Sequence, residues 1–81
     1  MLKKGKVKKA IEIFKINLKD YPDSPHVYRA LATALVTDDN LIEALPLQKT
    51  AYELAVKQKS EYESFYKQLL TEIENKLSAK W

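Results

Sequence analysis

Apolar side chains recur every three to four positions in four stretches of this chain, the spacing that gathers them on one side of an α-helix. The first stripe runs Val7, Ala10, Ile11, Phe14 and Leu18, the second Val27, Tyr28, Leu31, Ala34 and Leu35. The third is Leu41, Ala44, Leu45, Gln48, Ala51, Tyr52 and Ala55, with one amide among its members. The fourth is Tyr62, Phe65, Tyr66, Leu69, Ile73 and Leu77, aromatics at helical spacing that read as packed core rather than as a stacking platform. No stretch alternates with the period of a half-buried strand, and no hairpin dipeptide separates the stripes. The pattern predicts an all-α chain of about four helices.

The breaks between stripes carry their own chemistry. Pro22 cannot continue the first helix and pushes Tyr21 towards an extended backbone. Ser24 is placed to cap the second helix, with Pro25 at the first helical position, where a missing N–H costs nothing. Thr37, Asp38, Asp39 and Asn40 form the next turn, and Asn40 with Glu43 has the spacing of a capping box. Ser60 with Glu63 has the same spacing ahead of the fourth helix, although nothing between Lys57 and Lys59 forbids a continuous helix. Pro46 lies inside the third stripe, where a proline costs about 3 kcal/mol. The expectation is a kink near Ile42, or else a helix that starts later than Asn40.

Similar residues recur at an offset of 34. Val7, Ala10, Ile11 and Ile13 return as Leu41, Ala44, Leu45 and Leu47. Tyr28, Leu31, Leu35 and Val36 return as Tyr62, Phe65, Leu69 and Leu70. The first helix is therefore equivalent to the third and the second to the fourth. Ala10, Phe14 and Pro22 follow the small–aromatic–proline signature of the second helix of a tetratricopeptide repeat. Tyr28, Leu31, Ala32 and Leu35, then Ala44 and Ala51, follow the pattern of the next repeat. The chain resembles that family closely over residues 5–55 and loosely over 60–77.

The resemblance implies antiparallel helix–turn–helix repeats of an α-α superhelix, in one domain over 1–81. Residues 6–20 would be the second helix of a truncated repeat, 25–57 a complete repeat, and 60–78 a C-terminal capping helix. Gly5 stands where the family places the turn within a repeat, so Leu2 to Lys4 would end a preceding helix and the chain would be the C-terminal piece of something longer. Gln48 stands where the first unit has Phe14, Val56 replaces the family proline, and Tyr66 replaces the small residue represented by Ala32. Those departures read as the end of an array, with apolar surface that a cap must cover.

Composition narrows the function classes. The 81 residues include one glycine, one histidine and no cysteine, which removes disulfides, thiolate metal sites, thiol nucleophiles and glycine-rich phosphate loops. The lone His26 has no nucleophile–base arrangement around it, and no G-x-S-x-G elbow exists, so no catalytic residue is assigned. Asp38 and Asp39 read as turn residues rather than a metal pair, and no metal or other cofactor is implied. Met1 to Ala10 holds five lysines and no apolar core of a signal peptide, and no apolar run is long enough to span a bilayer. A soluble chain, cytoplasmic or periplasmic, fits this composition equally well.

Charge is uneven. Residues 1–20 carry seven lysines against Glu12 and Asp20, while residues 21–81 carry seven basic and nine acidic side chains. Lys3, Lys4, Lys6, Lys8 and Lys9 would be the start of a nucleic-acid surface. No aromatics are interleaved with them, so a solvated helix face is the better account and nucleic acid is the third reading of function.

Binding remains the stronger expectation. The resemblance implies that the first helix of each pair lines a groove, where His26, Arg29, Thr33, Val36 and Thr37 share a face. Ser60, Glu63, Lys67, Leu70 and Thr71 form the equivalent face of the last helix. Such a mixed face suits a protein, a peptide or a neighbouring domain. Family members that clamp a terminal carboxylate use lysine and asparagine where this chain has Arg29 and Thr33, so that particular activity is not implied. A homo-oligomer through the first helix is also expected, by way of Ala10, Ile13, Phe14 and Ile16. The alternative concerns a parent enzyme. The run from Tyr21 to Tyr28 is similar to repeats appended to bacterial α/β-hydrolases of the esterase type and to β-lactamase-like hydrolases, which would make this an accessory domain.

Overall fold

The computed structural model describes residues 4–79 as four helices, α1 (Lys4–Asp20), α2 (Pro25–Thr37), α3 (Leu41–Lys57) and α4 (Glu63–Ala79), with no strand among them. Each packs chiefly on its neighbour in sequence, α1 on α2, α2 on α3 and α3 on α4. Connections this short turn consecutive helices antiparallel. The body measures 35 × 32 × 19 Å. Its thin dimension suits two layers of helices with axes about 10 Å apart.

Local sequence explains the boundaries. The Ser24 Oγ accepts from the Val27 N–H at 3.4 Å ahead of Pro25. At the far end of α2, Asp39 adopts φ 59°, its N–H reaches the Val36 carbonyl, and the Asn40 N–H reaches that of Leu35. That is a Schellman closure. It recurs at the end of α3, where Lys59 has φ 54°, its N–H reaches Val56, and the Ser60 N–H reaches Ala55. The Lys57–Lys59 link is thus a true break.

Several expectations shift. Asn40 caps α3 through its Oδ1 on the Glu43 N–H at 3.4 Å, but the box does not close reciprocally. The Asn40 N–H is already held by Leu35, so the Glu43 carboxylate takes the Asn40 Nδ2 at 2.7 Å instead. Its other oxygen meets the Lys15 Nζ at 3.5 Å, tying α1 to the start of α3. The fourth helix starts at Glu63 rather than 60, because the Ser60 Oγ turns to the Tyr62 N–H at 3.1 Å and Glu61 and Tyr62 form a turn. At the N-terminus Gly5 lies inside α1, not in a turn. The expected remnant of a preceding helix at Leu2 and Lys3 falls outside the described residues. Pro46 is the sixth residue of an α3 that runs unbroken from Leu41, which removes the later start. Pro46 has no N–H to offer the Ile42 carbonyl, and both residues lie on the exposed side of the helix.

Val7 and Ile11 of α1, Leu31, Ala32, Ala34 and Leu35 of α2, Ala44 of α3 and Ile73 of α4 form the core, with Phe14, Leu18, Val36, Leu45, Leu47, Leu69 and Leu77 packed against it. Alanines at Ala32, Ala44, Ala51 and Ala55 are fully covered, which brings backbones close and leaves no room for larger side chains. Gln48 is also fully buried, its Nε2 donating to the Tyr66 carbonyl at 2.9 Å while its Oε1 has no partner among the described groups. The position equivalent to Phe14 therefore holds α4 by a hydrogen bond rather than by a ring.

The candidate partner-binding cleft

The first turns of α2 and α4 stand side by side on the same end of the molecule. Between them lies a cleft of about 430 Å3 lined by His26 and Arg29 from α2, by Tyr62 from the turn before α4 and by Phe65 and Tyr66 from its first turn. Its walls follow from how α4 sits on α3. Tyr66 and Ile73 turn inward and are buried, which rotates their neighbours Tyr62 and Phe65 outward to 60% and 49% exposure. The core role expected for Tyr62 and Phe65 is thus corrected; of the aromatics on α4 only Tyr66 fills it. Packed chiefly against α3, α4 covers one narrow line of side chains, and the rings beside that line stay open.

Arg29 defines the chemistry. Its guanidinium carbon lies 4.4 Å from the centroid of the Phe65 ring, a cation–π contact across the cleft. Phe65 in turn lies 6.4 Å from the Tyr66 ring at 58°, a tilted aromatic pair that fixes its plane. Among the described residues no carboxylate pairs with Arg29, and its Nε has no hydrogen-bond partner. A half-buried cation stacked on a ring, with no anion, beside open aromatic surface, is arranged to receive an acidic group together with an apolar one.

Of the residues expected on the binding faces, the structure brings His26 and Arg29 into this cleft. Thr33, Thr37 and Lys67 are exposed but do not line it, and Glu63 is half-buried at the start of α4. The Thr37 Oγ1 donates back to the Thr33 carbonyl at 3.1 Å, and that of Thr71 to the Lys67 carbonyl at 3.0 Å. Val36 packs against the core, and Leu70 is half-buried. Tyr62 and Phe65 are the lining residues that the repeat pattern hid, because position 34 earlier in each case is a covered or half-covered core residue. The signal for them lay within α4 itself, where Tyr66, Ile73 and Leu77 form a better inward line than Tyr62 and Phe65.

On α1 the four residues expected to self-associate divide. Ala10 and Phe14 are half-buried, whereas Ile13 and Ile16 are 50% and 61% exposed. Among the described residues no group of three His, Cys, Asp or Glu side chains is placed to hold a metal ion, and no helix is long and apolar enough to cross a membrane.

The fold and the cleft define an all-α chain of successive helix pairs with an open aromatic–basic groove between its second and fourth helices. No protein-family model, no curated protein and no solved structure matches this chain.

Proposed function

We propose that this chain is a protein-interaction module of the tetratricopeptide type and that its cleft between α2 and α4 holds a segment of a partner carrying an acidic side chain beside an apolar one. The observation that carries this reading is Arg29 stacked at 4.4 Å on a half-exposed Phe65, with no anion paired to it among the described residues. The acidic group pairs with the free edge of the guanidinium, and the apolar neighbour covers Phe65 and Tyr62. Covering about 100 Å2 of ring surface contributes about 2.5 kcal/mol, enough to give a short segment measurable affinity once the charge pair is added. The 34-residue recurrence and the helix pairs it describes support the family assignment.

The test is selection from a displayed library of random peptides on the intact domain, repeated on Arg29→Ala. Enriched sequences are expected to pair Asp or Glu with an adjacent large apolar residue, and to lose at least ten-fold in binding to the variant. Absence of enrichment, or enrichment indifferent to Arg29, contradicts the proposal.

A further inference from the structure

The outer side of α1 carries a short seam with its own symmetry. Lys9, Ile13, Ile16 and Asp20 are spaced four, three and four apart, the heptad spacing of a two-helix interface, and all four are exposed. Ile13 and Ile16 are the bare isoleucines of α1, and they occupy the middle of the seam. A positive charge stands at one end and a negative charge at the other. Lys15, the other lysine near the centre, is engaged by Glu43 and points to α3 rather than along the seam.

We infer that α1 pairs with α1 of a second copy of this chain, antiparallel, about a two-fold axis midway between Ile13 and Ile16. In that register Ile13 of one copy packs on Ile16 of the second, twice, and Lys9 of each copy meets Asp20 of the other. The pattern of charge, two apolar residues and opposite charge complements itself under a two-fold rotation, as an isologous contact requires. A parallel pair would set Lys9 against Lys9 and Asp20 against Asp20. One helix pair buries less area than a permanent dimer needs, so the association is weak and concentration-dependent. None of its residues lines the α2–α4 cleft, so pairing and partner binding are independent.

Sedimentation equilibrium of the intact chain from about 10 µM to 1 mM tests this, with far-UV circular dichroism to show that each variant keeps its helices. The wild type is expected to pass from monomer to dimer over this range, and raised salt is expected to weaken it. Ile16→Glu should abolish the dimer. Lys9→Glu should weaken it about ten-fold by setting like charges opposite each other at both ends, and adding Asp20→Lys to that variant should restore it. A monomer throughout, which would leave the seam to a helix of a different chain, overturns the inference. So does a dimer that the charge pair Lys9→Glu with Asp20→Lys fails to restore in a helical protein.

Discussion

Helices α2 and α4 occupy equivalent places 34 residues apart, and their fates differ. Leu31 on α2 is 1% exposed, while Phe65, its counterpart on α4, is half open to water. Both positions are apolar and both belong to a stripe of the same spacing. What separates them is the number of neighbours. Between α1 and α3, α2 buries Leu31, Ala32, Ala34 and Leu35, a broad arc that includes two alanines for close approach. Packed chiefly on α3, α4 buries Tyr66 and Ile73. Exchanging Ala32 for its counterpart Tyr66 completes the difference: a large ring takes the inward position, and Phe65 swings out to meet Arg29. A repeated pattern therefore makes a core on one helix and an exposed aromatic wall on the other.

The sharpest way to break this comparison is truncation at the paired positions. Leu31→Ala should cost about 3 kcal/mol of stability by opening a cavity in the core. Phe65→Ala should cost about 1 kcal/mol, the loss of a half-covered ring and its contact with Arg29. Urea denaturation of the two variants measures both, and equal losses would show that α4 is not rotated as described.

Gln48 tests what fastens α4 to α3. Gln48→Ala should destabilise by about 2 kcal/mol, because a void replaces the side chain and its hydrogen bond to Tyr66 is lost. Gln48→Leu keeps the volume and removes the orphaned Oε1, so it should fall within about 1 kcal/mol of wild type. A large loss for the leucine variant in thermal melts would mean that the hydrogen bond, rather than the packing, holds the last helix.

The two helix ends give the smallest and most specific effect. Lys59 pays a steric cost for its positive φ that glycine does not, so Lys59→Gly should stabilise by about 0.5–1 kcal/mol. Asp39→Gly should gain less, since aspartate tolerates that region better than lysine. Melting temperatures of the two variants rank the effect, and a larger gain at Asp39 would reverse the account of the two closures.

Much of this architecture can be read along the chain. Ser24 with Pro25 fixes the start of α2, the helical spacing fixes all four elements, and the inward side of α3 is legible down to Gln48. The rotation of α4 is not, because the 34-residue equivalence carries residue types and says nothing of how many helices flank each copy. The same limit hid half of the cleft. His26 and Arg29 stand out as polar residues on a shared face, whereas Tyr62 and Phe65 look like core until the burial of Tyr66 and Ile73 claims the inward line. The box expected at Asn40 failed reciprocally because its N–H was already spent on closing α2, a competition between neighbouring motifs that spacing does not reveal.

The central claim is that the side of α4 carrying Phe65 faces a partner across from Arg29. Amide shift mapping of the 15N-labelled domain, titrated with a peptide that pairs glutamate with leucine, tests it most directly. Shifts are predicted to cluster at residues 26–33 and 62–66 and to vanish in Arg29→Ala. Shifts centred on α1 or scattered over α3, or none at millimolar peptide, would contradict it.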